Sequence, residues 1–361
     1  MFEDRTQRTE IDELGEFGLI NRIRKQNKTR NPSTIASIGD DAAVIDNNGK
    51  LTLVSTDMFI EGVHFDLTFY PIKHLGYKIA ISNFSDIYAM NGAPKQITVS
   101  VGLSNRFSVE AVDELYAGIQ LACSRYNVDL VGGDTSASPQ GLFLSVTVVG
   151  EVEKQDIVYR HGAKENDLLC VSGDLGGAYA GLLVLEREKQ AFNVDPNMQP
   201  DLSGNDYILE RQLKPEARED IIRILKESKI KPTSMIDISD GLASEVLHLC
   251  TESKVGCAVY DEKLPIDAIT VATTKEFNIA PSVAALNGGE DFELLFTIDQ
   301  QDYNKIKDIP GITIIGHITD ISTSAQIVGE DGKTAPLTAQ GWDALLSTNK
   351  EIKEDDNNAS E

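Results

Sequence analysis

The chain has 361 residues and lacks much that would tie it to a familiar class. It holds four cysteines, Cys123, Cys170, Cys250 and Cys257, and no two of them form a C-x-x-C pair. That argues against a disulfide framework and against a structural zinc site, and buried free thiols are expected. No run of about 18 apolar residues occurs, so no membrane span is expected. The opening residues, Met-Phe-Glu-Asp-Arg-Thr-Gln-Arg, carry no apolar stretch of the signal-peptide kind, and a cytoplasmic location is expected. Positive charge is scarce: 33 Lys and Arg stand against 57 Asp and Glu, a net charge of −24. Binding nucleic acid in general, or an anionic membrane, needs a basic surface, so neither partner is expected. Three nucleotide signatures are also missing. There is no G-x-x-x-x-G-K-[ST], no G-x-G-x-x-G after a strand, and no H-R-D with D-F-G.

What is present reads as an α/β chain of about two domains. A helical pattern at Leu14, Phe17, Leu19, Ile20 and Ile23 ends at a basic patch with Pro32. Strand-like runs follow at Ala43–Asp46 and Leu51–Ser55, joined by Asn47-Asn48-Gly49. Residues 72–90 have helical spacing, stopped by Asn91-Gly92-Ala93-Pro94. Strands are expected at Gln96–Leu103, Val128–Val131 and Leu142–Val149, with a helix over Val109–Arg125. The pattern restarts after Gly150. A strand at Asp167–Ser172 leads through Gly173-Asp174-Leu175-Gly176-Gly177 into a helix at Tyr179–Glu188. That glycine loop reads equally as an anion site at a helix N-terminus or as a plain tight turn. Further strands are expected near Ser234–Ile238, Gly256–Tyr260, Phe292–Ile298, Ile312–Ile318 and Ala325–Val328. The division is 1–150, 151–346 and a disordered acidic tail over 347–361. Asn193–Asp206 reads as a surface insertion.

The carboxylates recur in one setting, beside a glycine or a small hydroxyl residue, most often after an apolar strand. The segments are Gly39-Asp40-Asp41, Ser55-Thr56-Asp57, Ser85-Asp86, Gly132-Gly133-Asp134-Thr135, Asp237-Ile238-Ser239-Asp240-Gly241 and Gly288-Gly289-Glu290-Asp291. Oxygen ligands of this kind suit hard cations such as magnesium, manganese or calcium. Carboxylates gathered without cations would repel one another. So many fit several metals and a polyphosphate better than one caged ion. Any single segment is also an ordinary turn, because Asp and Gly are turn formers.

Taken together, Gly39-Asp40-Asp41-Ala42-Ala43, Ser55-Thr56-Asp57, Gly62-Val63-His64-Phe65, Asn83-Phe84-Ser85-Asp86, Gly132-Gly133-Asp134-Thr135, Asp237-Ile238-Ser239-Asp240-Gly241-Leu242 and Gly288-Gly289-Glu290-Asp291-Phe292-Glu293-Leu294 resemble the thiamine-monophosphate kinase family. The match runs from about Gly15 to Trp342. The insertion near Asn193–Asp206 and the acidic tail depart from it without touching a motif. The resemblance implies the two-domain fold of the aminoimidazole ribonucleotide synthetase-like superfamily. It implies a homodimer whose N-terminal mixed sheets pair across the axis. It implies phosphorylation of thiamine monophosphate to thiamine diphosphate, with ATP as co-substrate and several magnesium ions, as the last step of thiamine diphosphate synthesis. Metal ligands are then expected at Asp40, Asp41, Ser55, Thr56, Asp57, Asp86, Asp134, Asp237 and Asp240. Turnover should depend on Asp57, Asp86, Asp134 and Asp240. ATP contacts fall on Tyr116, Gly133, Asp134, Arg160 and Ser239. Thiamine contacts fall on His64, Glu290 and Trp342.

Each of these has a plainer alternative. His64 also reads as a packing histidine, Arg160 as an exposed charge, Trp342 as a core plug and Glu290 as a turn cap. The acceptor is a phosphate monoester, already anionic near pH 7, so the expected mechanism is direct in-line transfer without a phosphoenzyme. Rival members of the superfamily fit less well. A selenophosphate synthetase calls for a reactive cysteine near the N-terminus, and the hydrogenase-maturation member for a cysteine in its tail. Aminoimidazole ribonucleotide synthetase calls for a substrate signature that Ser55-Thr56-Asp57-Met58 does not reproduce. A non-enzymatic metal scaffold and a metal phosphatase are the other classes.

Overall fold

The structure, a computed structural model, describes residues 21, 24, 25, 32–47 and 49–340. The apolar pattern at Leu14, Phe17, Leu19, Ile20 and Ile23, together with Asn48, Trp342 and the tail, lies outside the described residues.

Alternation dictates the first sheet. Leu142, Leu144, Val146 and Val148 are buried, and Phe143, Ser145 and Thr147 leave the other face. The strands are β1 (Thr34–Ala36), β2 (Ala43–Asp46), β3 (Leu51–Ile60), β4 (Ala93–Leu103), β5 (Asp129–Ala137) and β6 (Leu142–Val152). Their order is β1-β2-β3-β6-β4-β5, antiparallel except for β4 with β5. Helices α1 (Ile72–Ala89) and α2 (Val109–Tyr126) belong to this half. The start of α2 is set by Ser108, whose hydroxyl accepts from the Ala111 amide, and its end by Asn127 at φ 55°. The two helices meet at glycines: a Cβ on Gly76 would lie 2.0 Å from the Leu115 carbonyl oxygen, and one on Gly118 1.9 Å from that of Lys73.

The second sheet holds β7 (Leu168–Ser172), β8 (Ser234–Asp237), β9 (Gly256–Tyr260), β10 (Leu294–Ile298), β11 (Ile312–Thr319), β12 (Ala325–Val328) and β13 (Thr334–Pro336), in the order β13-β12-β9-β11-β7-β10-β8. Its central strands are apolar on both faces. Leu169 and Val171 join one core and Cys170 another, which is why these strands read as unbroken hydrophobic runs. Around them lie α3 (Gly177–Val194), α4 (Asp206–Leu213), α5 (Glu219–Glu227), α6 (Leu242–Ser253), α7 (Ala268–Glu276) and α8 (Pro281–Asn287). The stretch 195–204, between α3 and α4, is exposed, as expected of an insertion. All four cysteines are free and buried.

Helix α1 is the element shared by the halves. It packs on β3, β4 and β6 of the first sheet and on β8 of the second. It is buried almost all round, so any polar residue on it needs a partner.

Candidate active site

Two of the expected settings differ in the structure. Asp86 lies on α1, not at a strand end, and Asp57 and Asp134 lie within strands. Asp40, Asp41, Asp237, Asp240, Glu290 and Asp291 occupy loops or a strand end. The sequence pattern at Asn83–Asp86 continues the helix because nothing there breaks it. Burial of α1 between the sheets then turns Asp86 inward.

That burial creates a cluster. One carboxylate oxygen from each of Asp41, Asp86 and Asp237 lies within 4.8 Å of the others. Small hydroxyls surround them: Ser55 donates to Asp86 at 2.5 Å and Ser82 to Asp57 at 3.3 Å. Arg160 grips Asp41 with two parallel bonds of 2.9 Å, and its backbone amide reaches Asp40 at 3.3 Å. So Arg160 is neither solvent-facing nor free of the cluster. Burial pushes the Asp57 carboxyl up to about 6. Burial, with Asp41 adding repulsion, pushes Asp40 and Asp237 up to about 8. Burial raises Asp86 well above the ordinary carboxylate range, reinforced by Asp57, Asp237 and Asp41. A cluster of hard oxygen donors that holds protons against its ordinary acidity fits divalent cations, which would displace those protons.

Other expected residues lie apart. Directly opposed residues share a face, and Asp57 opposes Val146 while Met58 opposes Ser145. Asp134 opposes Ser100, which opposes Ser145. Asp134 therefore leaves the open face of the sheet, opposite to Asp57. Thr56 is on that face too, where its hydroxyl bonds Thr147 and the Val146 carbonyl. Gly133 sits on the same exposed strand, and a Cβ there would lie 1.9 Å from the Val99 carbonyl oxygen. Tyr116 is half-buried on α2 against the first core. Ser239 is exposed in the loop after β8, and its carbonyl accepts the Glu290 amide at 2.7 Å. The Asp240 amide donates to Glu245 at 2.9 Å.

The Gly-Gly-Glu-Asp-Phe-Glu motif divides its acids. Glu290 and Phe292 adopt φ of 58° and 50°, uncommon for non-glycine residues and typical of a constrained site. Asp291 turns inward, accepting the Gly176 and Ala178 amides at 2.8 and 3.4 Å. The open alternative at Gly173–Gly177 is thus decided: the anion at the α3 N-terminus is the protein's own carboxylate. Glu293 is buried between Ser172, Arg211 and Arg218. Glu290 alone is left partly exposed, and its field reaches His64. The His64 Nδ1 accepts the Ile60 amide at 3.0 Å, so its proton sits on Nε2. Burial lowers the pKa of that ring, which keeps it neutral.

Sequence reasoning passed over Lys78, Ser82, Gln212 and Glu245. A signal for two of them existed. Lys78, Ser82 and Asp86 stand at i, i+4 and i+8 in a largely buried helix, on one face. Gln212 gave none, because it gains its role from a contact 78 residues away, whereas Glu245 bonds the nearby Asp240 amide and was simply missed.

The family model described as AIR synthase related protein, N-terminal domain, matches residues 39–152. The chain is similar to the thiamine-monophosphate kinase of Aquifex aeolicus, 35% identical over 92% of this chain and 98% of that one. It is similar to the thiamine-monophosphate kinase of Bacillus subtilis, 33% identical over 91% and 99%. The solved structure of AaThiL complexed with AMPPCP and TMP superposes with a TM-score of 0.80, at 32% identity, over 93% of this chain and 99% of that one.

Proposed function

The chain belongs to the thiamine-monophosphate kinase family, and on that premise we propose how its residues carry out ATP-dependent phosphorylation of thiamine monophosphate to thiamine diphosphate. The observation that carries the reading is the convergence of Asp41, Asp86 and Asp237 from three separate segments. The two reacting groups are both anions. One pair of unit charges at 4 Å costs about 4 kcal/mol at an effective dielectric near 20. Magnesium held by Asp41, Asp86 and Asp237, with Asp40, Asp57, Asp240 and Ser55 at the margin, would neutralise that charge.

The protein's own groups do the rest. Arg160 presents a planar guanidinium at the nucleotide side of the cluster. Ser239, Tyr116 and Gly133 are proposed as further ATP contacts. His64 and Glu290 flank the thiamine side: neutral His64 donates from Nε2, and Glu290 accepts from the pyrimidine amino group. Trp342 is proposed to stack on the positively charged substrate. The acceptor phosphate is already a nucleophile, so no residue has to take a proton from it and no phosphoenzyme forms.

We assign residues 1–150 to metal and ATP binding and to dimerisation, and residues 151–346 to the second α/β unit. The proposed state is a homodimer joined through the open face of the first sheet, which would give Asp134 and Thr56 a partner-facing setting. Free buried thiols fit a reducing cytoplasm. No helix among the described residues is long and apolar enough to cross a membrane.

The test is a coupled assay with ATP, magnesium and thiamine monophosphate. Equal yields of ADP and thiamine diphosphate are expected, and Asp86→Asn should lower turnover at least a hundredfold while the fold persists. Phosphate release without ATP consumption would instead indicate a phosphatase.

A further inference from the structure

Lys78 is a buried charge that the mechanism above leaves unused. Its side chain is 4% exposed, yet its ammonium is neither near the surface nor in the aspartate cluster. It lies 2.9 Å from Glu290 Oε2 and donates to the Gln212 carbonyl at 2.9 Å, over the Tyr70 ring at 5.4 Å. The Gln212 side-chain amide donates to the same Glu290 oxygen at 3.0 Å. Tyr70 in turn donates to the Gln212 carbonyl at 2.9 Å. Both grips on Glu290 end on Oε2, and neither uses Oε1.

A partly exposed glutamate at positive φ has many rotamers and would ordinarily wander. Two donors on one oxygen fix its carboxylate plane, and the ammonium favours its ionised form. An ionised carboxylate is an acceptor only. It welcomes an N–H donor and rejects a carbonyl oxygen, because that pair would face two lone pairs.

We propose that Lys78 and Gln212 are positioning residues that hold Glu290 through Oε2, and that Oε1 thereby selects a substrate ring bearing an amino group over one bearing a carbonyl. The proposal deepens the assignment of Glu290 to the thiamine side and rests on it. It also explains why α1 carries Lys78 and Asp86 on one face: eight residues span about 12 Å along the axis, so one rigid helix sets the separation of ring and phosphate subsites.

The test compares kcat/KM for thiamine monophosphate with that for the analogue whose pyrimidine amino group is replaced by a carbonyl oxygen, at saturating magnesium and ATP. The wild type should prefer the amino substrate by about tenfold to a hundredfold, the range of one charge-assisted hydrogen bond. Lys78→Met and Gln212→Met should each bring that preference to within about threefold, while KM for ATP stays unchanged. A merely structural tether would lower activity toward both substrates together and leave the ratio intact. A folded Lys78→Met or Gln212→Met with the wild-type ratio overturns the proposal. If Lys78→Met does not fold, Gln212→Met decides, since it keeps every charge. Glu290→Gln separates the two levels: if it retains the wild-type ratio, the placement of the substrate ring at Glu290 fails as well. If it loses the ratio while the other two variants keep it, only the positioning role fails.

Discussion

At the scale of the residue, the aspartates near Arg160 are in tension with water and with one another. Asp57 is raised by burial to about 6, and Asp40 and Asp237 by burial and by Asp41 to about 8. In the unfolded chain such groups titrate near 4. Between about pH 4 and pH 8 the metal-free folded state therefore binds more protons than the unfolded state. These groups make its stability fall as pH rises through that window, and His64, His74 and His248, whose pKa values burial lowers, oppose them only below about 6.5. The carboxyls whose pKa is lowered, Asp66 and Asp220 among them, titrate below it and do not offset the trend. In a chelator, the melting temperature is expected to drop between pH 5 and pH 8. Saturating magnesium should raise it more at pH 8, where cations face less competition from protons. Calorimetry at the two pH values checks this, and an equal magnesium shift at both would contradict the cluster's role.

At the scale of the element, α1 is the part on which the site depends. Its apolar surroundings bury it, and its polar face then supplies Lys78, Ser82 and Asp86 to two different subsites. The close approach of α2 through Gly76 and Gly118 fixes its rotation. A Cβ at Gly118 meets the backbone carbonyl of Lys73, which cannot swing aside as a side chain would. Gly118→Ala gains up to about 1 kcal/mol of helix propensity. Overpacking against backbone costs about 1–3 kcal/mol or more, so the clash wins. Denaturant unfolding should show a net loss of about 1–2 kcal/mol, with kcat/KM falling because the polar face is displaced. A variant as stable as the wild type would show that the helices can part without consequence. The second sheet gives the contrasting case. Asp291 and Glu293 look as functional as Glu290 in sequence, yet they bind the α3 N-terminus and Arg211 with Arg218.

At the scale of the whole molecule, the first sheet is covered on one face and open on the other. The open side carries Met58, 59% exposed, with Phe143 beside it in the neighbouring strand and β5 exposed along nearly its whole length. With the proposed homodimer, Met58→Glu combined with Phe143→Glu should convert a two-chain mass in sedimentation into a one-chain mass. A wild-type protein already sedimenting as one chain would rule the pairing out. How much of this was legible follows from where the information resides. Strand and helix positions came from local periodicity, which is why β9 and β12 fell on their expected residues. The acidic motifs were also visible, because glycine and small hydroxyls beside carboxylates are a local pattern, and their order carried the family. Convergence was not local. That Asp41, Asp86 and Asp237 meet, that Thr56 and Asp134 face away from them, and that Asp291 turns inward were decided by how α1 lies between two sheets. Lys78 was decided the same way: its partner is more than two hundred residues along the chain, and only packing brings a buried ammonium to the one carboxylate that can satisfy it.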